Sequence, residues 1–121
     1  MFRLGIIEES LENKEILDLL KPYFFSQRIE EVPEDVEPLW HTNEYHMPDD
    51  KIKELIPCLE KKVKSTWYIH TFNDDVLIVI LHGKSFQISK KRDESWNDMI
   101  EYGVKVANVE RHFLENVPLH M

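Results

Sequence analysis

The sequence predicts an α+β fold: a mainly antiparallel sheet with a three-strand meander, packed on one face by about three helices. Three observations carry this reading. Thr66 to Phe72, Val76 to His82 and Ser85 to Ser89 are short runs rich in β-branched, aromatic and aliphatic residues, separated by the turn residues Asn73-Asp74-Asp75 and Gly83-Lys84. Three other segments repeat apolar residues at helical spacing. Helices alternating with hairpin-linked strands put the helices against an antiparallel sheet.

Phe2 to Ile7 reads as the first strand. Ser10 is placed to cap a helix through about Lys21, with Ile16, Leu17, Leu19 and Leu20 inward, and Pro22 fits its end. Asn13 stands where a capping box needs Glu or Gln. Tyr23 to Ile29 reads as a second strand, and Glu30 to Pro38, punctuated by Pro33 and Pro38, as a loop. Leu39 to Met47 is a third strand. Its alternation sends Trp40, Thr42, Glu44 and His46 to one face and His41, Asn43 and Tyr45 to the other. After Pro48, Asp49 or Asp50 caps a helix to about Lys64, striped by Ile52, Leu55, Ile56, Leu59 and Val63. Pro57 inside it predicts a kink near Lys53 to Pro57. Beyond the meander, Asp93 or Ser95 caps a third helix to about Ala107. Gly103 lies on its buried stripe, where a missing side chain permits close approach. Asn108 ends that helix or caps a short turn with Val109 and Phe113, and the chain from Asn116 onward is expected to be loosely held.

A chain of 121 residues has room for one core, so positions 1–121 read as one domain. Six Phe, four Tyr and three Trp supply that core and exclude a wholly disordered chain. The longest apolar run, Val76 to Leu81, is far short of the roughly 20 residues that cross a bilayer. Acidic residues directly follow the first apolar stretch, unlike a secretory signal. The single cysteine, Cys58, permits no internal disulfide, and together these predict a cytoplasmic protein without membrane association. A formal charge of −8 repels phosphate backbones and argues against nucleic-acid partners. The acidic stretch Glu30 to Glu37 and the basic clusters Lys61-Lys62-Lys64 and Lys90-Lys91-Arg92 read first as solvated loops and helix ends, and second as docking patches between subunits.

Chemistry concentrates in Trp40 to His46 and Trp67 to His70. Glu44, His46 and His70 are the candidate catalytic residues, because a carboxylate among aromatic side chains has its pKa raised and a histidine can share its proton. Trp40, His41, Tyr45 and Tyr68 are the candidate binding residues: amphipathic rings are enriched at interfaces. A metal reading assembles His41, Glu44, His46 and His70, but His-x-x-Glu-x-His on a strand matches no established ligand spacing, so no metal site is assigned. Three dispersed glycines build no phosphate loop, and no nucleophile elbow is present, so no cofactor is implied.

The runs W-H-x-N-E-Y-H-x-P-D (Trp40 to Asp49), W-Y-x-H (Trp67 to His70), L-I-V-I (Leu77 to Ile80), K-x-F-x-I (Lys84 to Ile88) and W-x-x-x-I-x-Y-G (Trp96 to Gly103) cover about the last two-thirds of the chain. Together they resemble a group of small uncharacterised bacterial proteins. The resemblance implies a bacterial cytoplasmic origin and assigns no activity. The leading expectation is a protein- or ligand-binding regulatory module acting as a homodimer. The alternative is a small hydrolase, either metal-dependent or using His/Glu acid–base chemistry.

Overall fold

A computed structural model describes residues 1–119. In chain order the elements are β1 (Phe2–Ile7), α1 (Ile16–Leu20), β2 (Phe24–Glu31), β3 (Leu39–Met47), α2 (Asp49–Lys62), β4 (Ile69–Phe72), β5 (Val76–Leu81), β6 (Lys84–Ser89), α3 (Asn97–Lys105) and α4 (Arg111–Glu115). The strands form one sheet in the order β2-β3-β1-β4-β5-β6. Every neighbouring pair is antiparallel, and β4-β5-β6 is the expected meander. The protein is therefore α+β, as its patterning predicts.

The helices divide between the two faces instead of sharing one. Alternation along β5 shows the division. Ile78 and Ile80 join a core with Leu4, Ile6 and Met47, with Ile16, Leu20, Ile52 and Leu59 of the first two helices, and with Val63 just past the second. Leu77, Val79 and Leu81 join a second core with Trp96, Met99, Ile100 and Leu114 of the last helical segments. A strand that is apolar on both faces must be covered on both. The second core draws strand residues only from β4, β5 and β6. The same face of β1, β3 and β2 lies outside it, so the open surface is half a face.

Several local expectations change with backbone bonding. Ser10 caps no long helix. It ends a single 3-10 turn, Glu8–Ser10, and its hydroxyl donates backward to the Ile7 carbonyl at 2.6 Å. Its own carbonyl and the Glu12 N–H are spent on Lys64 and Lys62 at the end of α2, so helix starts only at Ile16. Pro22 lies in a 3-10 turn, Lys21–Tyr23. The expected strand from Thr66 begins at Ile69, because Thr66 has φ 75° and its N–H donates to the Ala107 carbonyl. Trp67 and Tyr68 thus form the lead-in to β4. Pro48 occupies the cap position of α2, and Asp49 binds the N-terminal amine at 2.7 Å. α2 runs from Asp49 to Lys62 with Pro57 inside it; Pro57 and Lys53 both lie on the exposed side, where the Lys53 carbonyl that loses its helical donor is open to solvent.

Asp93 accepts from the Ser95 N–H (3.0 Å) and hydroxyl (2.6 Å) and opens the turn that leads into α3. A Cβ on Gly103 would sit 2.3 Å from Leu114 Cδ1, so this glycine lets α4 dock against α3. Asn108, at φ 58°, turns the chain between them. The tail expected to be loose is pinned at least to Val117, which is fully buried and whose carbonyl accepts from Arg92 Nη2 at 2.9 Å. The expectation for residues 120 and 121 falls outside the described residues. Among the described residues no helix is long and apolar enough to cross a membrane.

Candidate functional site: an aromatic cavity on the half-covered face

The register of the central strands builds the floor. Gly5 of β1 pairs with Glu44 of β3 on one side and with His70 of β4 on the other, so these three share one face. Lacking a side chain, Gly5 leaves a depression beside His70. Docking of α4, permitted by Gly103, raises a wall along one flank; the loop between β2 and β3 raises the other. The result is a cavity of about 390 Å³. That is within the usual range for small-molecule sites.

Its aromatic walls are Trp40, Trp67, Tyr68 and Phe113. Trp40 and Trp67 lie 5.2 Å apart with planes inclined at 64°. His70 stands between Tyr68 (6.2 Å) and Phe72, on which it stacks at 6.1 Å. The charged lining residues are Arg28, Glu30, Asp35 and Glu110. Arg28 Nε donates to Glu30 Oε1 at 2.9 Å, and the Thr42 hydroxyl donates to the same oxygen at 3.2 Å.

Two buried polar atoms in these walls, Trp40 Nε1 and His70 Nε2, have no hydrogen-bond partner among the described residues. Such an atom costs about 1–3 kcal/mol when left unsatisfied. The His70 residue keeps some exposure toward the cavity, while Nε2 itself is shut off from solvent. Burial, with the Arg28 charge nearby, pushes the His70 pKa down to about 4, so the imidazole is neutral at pH 7. Burial pushes the Tyr68 hydroxyl up to about 12.

The candidate residues separate into three groups. Trp40, Tyr68 and His70 meet in the cavity. Glu44 and His46 share its face, and their side chains bond to each other, but they do not line it. The Phe25 ring stacks on His46 at 4.0 Å and 14° and covers that pair. His41 and Tyr45, expected on the binding surface, belong to the opposite face and do not line the cavity. His41 Nδ1 pairs with Glu9 Oε2, and the His41 N–H donates to Glu9 Oε1, both at 2.7 Å. Burial works to raise the Glu9 pKa, but these bonds outweigh it and hold the carboxyl below its ordinary value. Tyr45 is 2% exposed in the first core, and its hydroxyl accepts from Asn43 Nδ2 at 2.9 Å. The metal set His41, Glu44, His46 and His70 is thereby split across the sheet. No three His, Cys, Asp or Glu side chains among the described residues converge to hold an ion.

Sequence reasoning missed Gly5, Arg28, Glu30, Val36, Glu110 and Phe113 as lining residues. The Gly5 contribution was legible in principle, as the one residue without a side chain in an otherwise apolar first strand. The others depend on how the β2–β3 loop and α4 fold back over the sheet. Compared with protein-family models, curated proteins and solved structures, the chain matches none at a significant level.

Proposed function

We propose that this protein is a small-ligand-binding regulatory module whose site is the aromatic cavity beside His70, and that it acts as a homodimer of bacterial cytoplasmic origin. One observation carries the binding reading: a concave site of small-molecule size is walled by four aromatic rings, Trp40, Trp67, Tyr68 and Phe113. A molecule that fills such a site buries apolar surface against these rings. Thermal-shift screening with a set of planar, cationic and anionic fragments tests it. Hits should raise Tm in wild type and fail to do so in Trp40→Ala. A set without a single stabilising member would end the binding reading.

The second copy fits at β2. This edge strand is eight residues long and exposes Phe24, Phe25 and Ile29 by 52%, 61% and 60%. An open edge of this kind offers unpaired N–H and C=O groups to another strand. Antiparallel pairing of two copies about Ile29 sets Ile29 against Ile29 and places Arg28 opposite Glu30 twice, so the strand is complementary to itself. Light scattering at micromolar concentration should give twice the 14.5 kDa chain mass.

The acid–base alternative draws on the Glu44–His46 bond. Against it stand the Phe25 ring over His46 and the intervening β1 strand, which sets Glu44 and His70 backbones about 10 Å apart. Ester or phosphoester turnover abolished by Glu44→Gln would favour the hydrolase.

A further inference from the structure

We propose that the cavity takes a small organic ammonium ion, with its alkylated head against the aromatic wall that Trp40 and Trp67 form with Tyr68 and Phe113, and its charge toward the carboxylates of the rim. This rests on the ligand-binding reading above and narrows it to a chemical class.

Two independent features point to a cation. The first is the walls. The Trp40 and Trp67 planes meet at 64° and bound the cavity as two non-parallel surfaces, with Tyr68 and Phe113 lining the same space. The negative face of each ring attracts a cation, most strongly for indole. The second is charge. Among the described residues, three carboxylates, Glu30, Asp35 and Glu110, line the cavity against one cation, Arg28, which is already bonded to Glu30. Glu110 also lies 3.4 Å from His112 and keeps a 72% exposed side chain. An anionic ligand would meet a net negative rim on a chain of formal charge −8. The one titratable group on the floor, His70, is uncharged at pH 7 and does not repel a cation.

The hydrogen-bonding pattern selects the kind of cation. A primary ammonium brings three N–H donors and needs acceptors for them. The aromatic wall of Trp40, Trp67 and Phe113 supplies none. A fully alkylated head has no N–H to satisfy and loses little hydration on entering an aromatic corner. A short polar arm on that head would extend toward the solvated rim. A quaternary ammonium alcohol has this composition, and a cavity of about 390 Å³ accommodates it with room for a larger substituent.

Isothermal titration with choline and with its neutral isostere 3,3-dimethylbutan-1-ol tests the class, with indole-3-acetate as an anionic aromatic probe. Choline should bind at least about tenfold more tightly than the isostere. The surface variants Glu110→Gln and Asp35→Asn should each weaken choline about threefold at low salt and leave the isostere unchanged. Equal affinity for choline and the isostere overturns the proposal, and so does indifference to both rim variants. Binding of indole-3-acetate or the isostere without choline overturns the cation and keeps the cavity as a binding site. Silence from all three probes removes the cation and counts against the binding reading as well.

Discussion

His70 should make the fold sensitive to mild acid. Its pKa falls from 6.5 in the unfolded chain to about 4 in the folded protein, because burial disfavours the imidazolium and Arg28 adds repulsion. Below pH 6.5 the unfolded chain binds a proton that the folded protein refuses until about pH 4, so acid favours unfolding across that window. Above pH 6.5 neither state is protonated and the stability is fully present. Below about pH 4 both are protonated and the loss is complete. At 1.36 kcal/mol per pH unit the whole window amounts to about 3 kcal/mol, of which about 2 kcal/mol is lost between pH 7 and pH 5. The lowered carboxyls of Glu9 and Asp93 act at lower pH and stay outside this interval. Urea unfolding of wild type and His70→Phe, run at half-unit steps from pH 7 to 5, isolates the effect. Phenylalanine retains a ring between Tyr68 and Phe72 and has nothing to titrate. The stability of His70→Phe relative to wild type should rise by about 2 kcal/mol as pH falls to 5. Two parallel stability curves would refute the claim that this imidazole is held neutral by burial.

Other substitutions probe the frame around the cavity. Gly103→Ala should destabilise by about 1–3 kcal/mol despite the better helix former, because the new Cβ meets a Leu114 that is wholly buried; circular-dichroism melts read this directly. Asn43→Ala should cost about 1–3 kcal/mol in urea, since it strips partners from Gln27, Glu8 and Tyr45 at 2.8–2.9 Å, with Asn43 itself 3% exposed. Ile29→Lys should give a folded monomer by light scattering, with a melting temperature that no longer rises with protein concentration, because Ile29 is 60% exposed in the single chain. A dimer that survives this change does not form through β2.

The strands were legible because strand patterning is local. Leu39 to Met47 is bounded by Pro38 and Pro48, and parity alone assigned Trp40, Thr42, Glu44 and His46 to one face. Tyr45 shows the limit of that rule. Parity separated it from Trp40, but parity does not say which face a helix will cover, and the Tyr45 face received α1 and α2. Ser10 failed differently. A serine before an apolar run favours a helix start, yet the neighbouring backbone was claimed by the end of α2, more than fifty positions along the chain. The last helical segments close the second core over β5, whose unbroken apolar run already required cover on both sides. The cavity combines all of these: a glycine floor, a lead-in that departs from strand geometry at Thr66, and an α3–α4 contact that Gly103 permits. Aromatic composition located the site approximately, and only the long-range pairing of β1 with β3 and β4 set Trp40 and His70 on one surface.

The indole N–H resonance of Trp40 reports most directly on whether this cavity is a binding site. In protein labelled with ¹⁵N at tryptophan, and assigned through Trp40→Phe, the Trp40 signal should move saturably as choline is added. The Trp67 signal should follow it, and Trp96, buried in the other core on the same sheet face, should stay in place. A Trp40 resonance that stays fixed while choline binds elsewhere, or movement of Trp96 alone, would contradict the account.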